Sequence, residues 1–442
     1  MPGAKSKLFG CILKISTLRS QVLAGSPRNR PGAMTKLVLF FAPLFTDNAL
    51  HLLASVSTME GARTALVSQD ALDNLPRELQ RHLVGHWQVA DILDSDELTR
   101  AASGLQSQLG RVDVLMSANE QIQIPVATVR ERLGIAGMGV EVTRNFRDKA
   151  QMKERFREAG VPCARHCKAT SEDDAWAFVQ EVGFPLCIKP VDSAATQATY
   201  RVESSQALRE LLRASTPRPD RPLQIEEFVV GAEHSFETFS LKGKHLWHSL
   251  TRYLPNPLDV VRNPWIQWRI VLPREVDSPE YDDIREVGKK ALDALGARTC
   301  LTHLEWFRRP NGTIAVGEVA ARPPGAQLLT LMNRAHDIDV YRMWARLMIF
   351  HEFKVPKERK YSAGVAFLRG LGGNRVKCVH GLDRVLSELG PMVTDLKRPQ
   401  PGDWASHLYE GQGYVVLRHP ETAVVESALE YVINQVQVEM LL

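Results

Sequence analysis

Thr302-His-Leu-Glu-Trp-Phe307, a Pro310-Asn-Gly312 break, and Thr313-Ile-Ala-Val-Gly-Glu-Val319 form the stretch on which the reading of this chain turns. Two runs rich in apolar, β-branched and aromatic residues around such a break predict a β-hairpin. If Asn311-Gly312 makes a two-residue type I′ turn, Glu305 stands directly across from Glu318, with Cβ atoms about 4.5–5.5 Å apart. Pro310 cannot donate to a ladder. A four-residue loop over 309–312 is therefore equally compatible, and it makes the glutamates diagonal neighbours on the same face. Like charges so placed repel, or one of them holds a proton. A divalent cation between them removes the conflict, and an oxygen-only pair suits magnesium. The competing reading is a solvated strand face with two ordinary glutamates. The apolar neighbours, and Arg322 four residues beyond Glu318, weigh against it.

Upstream of the hairpin, Ser235–Leu241 alternates, Lys242-Gly243 turns, and 245–253 returns, which predicts a second hairpin. A helix is expected over 279–295, ended by Gly296, and another over Asp148–Ala159, ended by Gly160 with Pro162 beyond it. Ser171 opens a further helix, with Asp174 three residues on as an imperfect capping box. Strands are expected at Leu186-Cys-Ile-Lys189 and Leu223–Phe228, with a helix at 205–214 between them.

Nearer the start, apolar runs at 36–41, 62–67 and 112–116 alternate with helical patterns at 47–58 and 121–133. This alternation predicts a parallel sheet with crossover helices over 34–143, a Rossmann-like layer. No GxGxxG follows its first strand, so the dinucleotide fingerprint is missing. Beyond the charged stretch Lys354–Lys360, runs at Ala363–Leu368 and Tyr414–Leu417 and a helix from Thr422 to Ile433 predict a small α+β domain over 354–442. The expected fold is thus mixed α/β and α+β, with a central domain over 144–353.

The 442 residues, 44% hydrophobic and 24% charged, have globular proportions and enough length for two or three domains. The net charge of +4 is misleading, because residues 1–33 carry +6 and no acid, leaving −2 for the rest. No nucleic-acid footprint is expected from that body. The basic, acid-free segment resembles a transit peptide. The preferred reading is a disordered or over-long start, with Met34 the true beginning. No apolar run reaches the roughly 18 residues of a membrane span. Six cysteines in so long a chain do not read as a disulfide framework. Cys163 and Cys167 lack a second ligand pair at zinc spacing, so reduced, mostly buried thiols in a cytoplasmic protein are expected.

Four segments in order resemble the ATP-grasp superfamily, the fold of carboxylate–amine and amino-acid ligases and of biotin carboxylase. Arg147-Asp-Lys149 with Gly160-Val-Pro162 resembles the start of the grasp domain. Gly183-Phe-Pro-Leu-Cys-Ile-Lys189-Pro190 resembles its phosphate-contacting strand, and Glu226-Glu-Phe-Val-Val-Gly-Ala-Glu233 its adenine hinge. His303-Leu-Glu305 with Gly317-Glu-Val-Ala-Ala-Arg-Pro-Pro-Gly325 resembles its metal-and-substrate segment.

The resemblance implies ATP and Mg2+, with Mn2+ as an alternative ion. It places the metal on Glu305 and Glu318, the nucleotide phosphates on Lys149 and Lys189, and adenine on Glu226 and the backbone of Glu227, Phe228 and Val229. The ribose hydroxyls would fall to Glu233, and a substrate carboxylate or acyl phosphate to Arg322. Ala320 departs from the asparagine common two residues after the second glutamate. Val191-Asp-Ser-Ala-Ala-Thr-Gln-Ala198 departs from a glycine-rich lid, with Ser193 and Thr196 as candidate phosphate donors.

The implied reaction joins a small carboxylate to an amine, forming ADP, in a protein that is often a homodimer. A small-molecule kinase and a non-catalytic nucleotide-binding regulator are the alternatives. Loops at 252–270 and 322–330, with Arg252 and Arg269 near the first, are expected to shape the substrate pocket. Surface arginines beside a packed hairpin are the equally good reading of that pair.

Overall fold

The computed structural model describes residues 35–190, 200–263, 265–406 and 410–441, together with the short strand Ser20–Val22. Of the tail expected over 1–33, that strand alone is described. It pairs antiparallel with Leu83–Gln88 at the edge of a five-stranded sheet. The loop Val191–Ala198 lies outside the described residues.

In the five-stranded sheet, Leu83–Gln88, Ala62–Ser68, Lys36–Ala42 and Val114–Ser117 run parallel. Lys36–Ala42 is buried from Leu37 onward because helices cover both faces, hence its unbroken apolar sequence. The strand Leu83–Gln88 and the helix Ser95–Leu109 have no counterpart in the sequence reading. Gly85 and His86 interrupt the apolar pattern of that strand. His86 is nevertheless buried, its ring 2.8 Å from the Ser68 hydroxyl, and burial lowers its pKa to about 4, leaving it neutral.

A four-stranded antiparallel sheet follows, in the order His166–Ala169, Leu223–Glu227, Leu186–Pro190, Tyr200–Val202. Helices Glu172–Val182 and Ser205–Ala214 close its outer face around Phe178, Ile188, Leu208 and Ile225. Ser171 and Asp174 form a complete capping box at the first of these helices.

The largest sheet has eight antiparallel strands. In order they are Ile314–Ala320, Cys300–Arg308, Ala232–Leu241, Lys244–Leu254, Arg269–Leu272, Ser362–Leu368, Gly413–His419 and Val393–Lys397. Lys242 and Gly243, both at positive φ, make the expected two-residue turn. The expected division at 354 falls within this one continuous sheet, because Ser362–Leu368 pairs directly with Arg269–Leu272. The last element is a two-stranded ribbon of Arg375–His380 and Gln437–Leu441. Among the described residues no helix is long and apolar enough to cross a membrane.

Candidate functional site

A cavity of about 490 Å³ opens between the four-stranded and eight-stranded sheets, with loops of the five-stranded layer at its mouth. That volume is within the range of small-ligand sites. Lys149, Lys189, Glu226, Glu227, Phe228, Val229, Glu233, Glu305, Glu318 and Arg322 all line it, so the structure brings these ten candidates named from the sequence to one place.

Glu305 and Glu318 are directly opposed in the ladder, by neither of the routes the sequence left open. Arg309 N–H donates to the Thr313 carbonyl at 2.8 Å, which closes a three-residue loop of Pro310, Asn311 and Gly312. That loop alone would pair Glu305 with residue 317. A one-residue bulge at Gly317 restores the offset, since Trp306 pairs with Val316 while Glu305 pairs with Glu318. A Cβ at Gly317 would lie 3.1 Å from the Phe307 ring and 3.2 Å from the Glu305 carbonyl, so any larger residue would crowd the bulge. Glu305 keeps 40% of its side chain open to the cavity.

His303, within a quoted motif but given no role from sequence, sits beside this pair. Its Nδ1 is 2.8 Å from the fully buried Glu237 and its Nε2 3.6 Å from Glu305. Burial would lower its pKa, but the two carboxylates outweigh burial and raise it to about 9, so it is cationic at neutral pH. The same contact holds Glu305 below the usual range against the opposing effect of burial. Ala320 is the ladder partner of His303 and is buried, so no oxygen ligand comes from that position.

Three lysines face the acidic pair. Asp148 caps the helix Lys149–Ala159 by accepting from Ala150 and Gln151, which fixes Lys149 in the first turn, and its Nζ lies 3.0 Å from Glu318. Lys153, one turn further on and only 1% exposed, was missed by the sequence reading. Its i, i+4 spacing from Lys149 was the available signal. Its Nζ donates to the Val316 carbonyl at 3.2 Å and sits 3.8 Å from Glu226, while Lys189 reaches Glu226 at 3.1 Å. Burial pushes the Glu226 carboxyl up, but the two ammonium groups outweigh it and hold it at about 2. Lys189 is correspondingly raised despite its own burial.

The hinge runs from Glu227 to Glu233. Arg165 and Arg309 pin Glu227 at 2.6 and 2.9 Å. A Cβ on Gly231 would come within 2.4 Å of the Arg308 carbonyl, so only glycine lets the hinge pass the edge of the large sheet. Glu233 N–H donates to Asn256 Oδ1 at 2.9 Å. Its own carboxyl is raised well above the usual range by burial, then by Glu305 and Asp259.

Arg322 reaches Glu120 through Nε at 2.9 Å and a terminal nitrogen at 2.6 Å, and Arg147 grips the same carboxylate. Glu120 comes from the five-stranded layer and was not singled out from sequence. Arg252 and Arg269 lie away from the cavity. The first is engaged with Tyr281, Glu280 and Glu426, and the second with Glu430. From the loop expected to shape a substrate pocket, Tyr253, Asn256–Asp259 and Trp268 do reach the wall. The described cysteines are free thiols. Cys300 is buried, whereas Cys163, Cys167, Cys187 and Cys378 are half-buried rather than enclosed.

The family model of the ATP-grasp domain matches residues 154–335. Among curated proteins, the alanine–anticapsin ligase of Bacillus subtilis is 27% identical over 267 residues, covering 56% of this chain and 56% of that protein. The L-arginine-specific L-amino acid ligase of Bacillus subtilis is 23% identical, over 63% of this chain and 68% of its own length. The chain thus spans little more than half the length of the first of these relatives. The L-amino acid ligase structure from Bacillus licheniformis superposes with a TM-score of 0.73 at 17% identity, covering 92% of this chain and all of that one.

Proposed function

We propose that this chain, whose residues 154–335 match the family model of the ATP-grasp domain, is an ADP-forming ligase that activates a small carboxylate as an acyl phosphate and joins it to an amine. The observation that carries the reading is a single cavity in which an opposed carboxylate pair, Glu305 and Glu318, faces Lys149, Lys153 and Lys189. Such a site neutralises a polyanion by positioned charge, without a Walker loop. Names of amino-acid ligases among the relatives support the choice of an amino acid as one substrate.

The residues fit magnesium and ATP on their own chemistry. Glu305 and Glu318 offer carboxylate oxygens on one face, with His303 and Lys149 each beside one of them, and Glu233 is a buried carboxyl among like charges, suited to ribose hydroxyl donors. Magnesium, held by Glu305 and Glu318, would neutralise phosphate oxygens when bound. Lys189 and Lys153 would turn from Glu226 toward the phosphates, and the Glu227–Val229 backbone would read adenine. Arg322, aimed by Glu120, would orient the carboxylate that attacks the γ-phosphate, after which the amine displaces phosphate from the acyl group. A cytosolic setting is part of the proposal, supported by the free thiols.

The test is ATP turnover with magnesium across a panel of amino-acid pairs, reading ADP and free phosphate, with Glu318→Ala as control. Phosphate release that needs two substrates and vanishes in the variant is the expected result. ADP formation without free phosphate would instead identify a small-molecule kinase. Tight ATP binding with no turnover on the whole panel would favour a nucleotide-binding regulator.

A further inference from the structure

Remote from the cavity, the C-terminal ribbon gathers a second set of donor atoms. Cys378 is the Cα partner of Glu439, and His380 lies two residues along the same strand, so their side chains share a face. A register shift between Val376 and Cys378 sets this alignment. Cys378 Sγ lies 3.2 Å from His380 Nε2 and 3.1 Å from Glu439 Oε2, and Nε2 lies 2.9 Å from the same Oε2.

The triangle is not the geometry of a nucleophile relay. A relaying imidazole meets its thiol through one ring nitrogen and its carboxylate through the other. Here thiol and carboxylate both face Nε2. Three donors closing on one point is instead the corner of a coordination shell. Bond lengths of about 2.3 Å to sulfur and about 2.0–2.1 Å to nitrogen and oxygen, at tetrahedral angles, separate such ligands by about 3.4–3.6 Å. The triangle therefore needs to widen by only about 0.4 Å, within reach of small side-chain rotations.

Lys377 adds a supporting contact. Its Nζ holds Glu439 Oε1 at 2.7 Å, leaving Oε2 turned toward the other two donors. Thiolate, imidazole and carboxylate together suit zinc far better than magnesium or calcium. Among the described residues this is the one triad of His, Cys, Asp or Glu ligand atoms lying within 4.8 Å of one another.

We propose that Cys378, His380 and Glu439 form a zinc site, open at its fourth position, that staples the C-terminal strand Gln437–Leu441 to Arg375–His380. None of the three residues lines the nucleotide cavity, so the site stands apart from the chemistry proposed there.

Cobalt(II), added to the full chain in excess magnesium, is the probe. One equivalent should produce a thiolate-to-cobalt charge-transfer band that zinc abolishes. Cys378→Ser should eliminate the band, and His380→Ala or Glu439→Gln should weaken binding by about tenfold or more. Zinc should raise the melting temperature of the native chain but not of Cys378→Ser, and ATP turnover should be the same in all of them. Absence of the band at stoichiometric cobalt overturns the site, as does a band unchanged in Cys378→Ser. Equal cobalt affinity in His380→Ala and the native chain would overturn it too.

Discussion

The two walls of the cavity carry the same residue type under opposite electrostatic conditions. On the four-stranded wall, Glu226 is buried between Lys153 and Lys189 and stays ionised down to about pH 2. On the eight-stranded wall, Glu233 is equally enclosed but has Glu305 and Asp259 for neighbours, and its carboxyl is raised. Burial pushes both groups the same way, so the neighbours alone decide the sign. The cationic wall is satisfied without a ligand, whereas the acidic wall retains an excess of negative charge that a cation would relieve.

The largest effect should come from removing that excess. Glu305→Gln or Glu318→Gln is expected to lower turnover by about a thousandfold or more, the scale of losing a preorganised charge at a reacting phosphate. Single-turnover ADP formation at saturating ATP measures it. A loss below about tenfold in both variants would mean the pair is only a strand face. Deleting Gly317 should be far milder, because without the extra residue the three-residue loop itself places Glu318 across from Glu305.

The second effect concerns stability on the cationic wall. Lys153→Met leaves a buried carboxylate with one cation instead of two and should cost about 3 kcal/mol in urea unfolding. Lys149→Met leaves behind Glu318, whose side chain is 21% exposed and so still partly hydrated, and should cost less, about 1–2 kcal/mol. Equal costs for the two would show that the walls do not differ in the way described.

What the sequence disclosed, and what it hid, divides along the same physical line. Local patterns carried far: the Gly160 and Gly296 helix ends, the Lys242-Gly243 turn and the Ser171 cap are set by residues within a few positions of one another. Like-facing glutamates on a hairpin were legible because strand alternation has a period of two. The route to their pairing was not, since a three-residue loop and a one-residue bulge cancel, and each is invisible without the other. Glu120 was hidden because its meaning lies in Arg322, 202 residues away. The triad at 378, 380 and 439 escaped for the same reason, its third member being a strand from the far end of the chain.

A pH titration of ligand-free stability sharpens the contrast further. The folded pKa of Glu226 is depressed, so its contribution is present above about pH 4.5, the unfolded value, and is lost as pH falls toward about 2. Glu226→Gln should therefore flatten the native chain's loss of unfolding free energy between those limits. For Glu233 the sign reverses. A carboxyl raised in the folded state opposes folding once pH exceeds its unfolded value, so Glu233→Gln should stabilise the ligand-free chain at pH 7. Destabilisation there would show that the excess of negative charge is already compensated.

The smallest effect tests whether the acidic pair is set at the bulge or at the turn. Gly312 closes the hairpin loop at φ +82, and a Cβ there would meet nothing within 4 Å. Its only demand is conformational, so Gly312→Ala should cost about 1 kcal/mol and Gly312→Asn less, because asparagine tolerates the left-handed region. Neither should change the magnesium dependence of turnover, since the Gly317 bulge, between the turn and the glutamates, holds Glu305 opposite Glu318. If Gly312→Ala raises the magnesium requirement as much as it lowers stability, the turn governs the register. The bulge would then be its consequence rather than the device that aligns the pair.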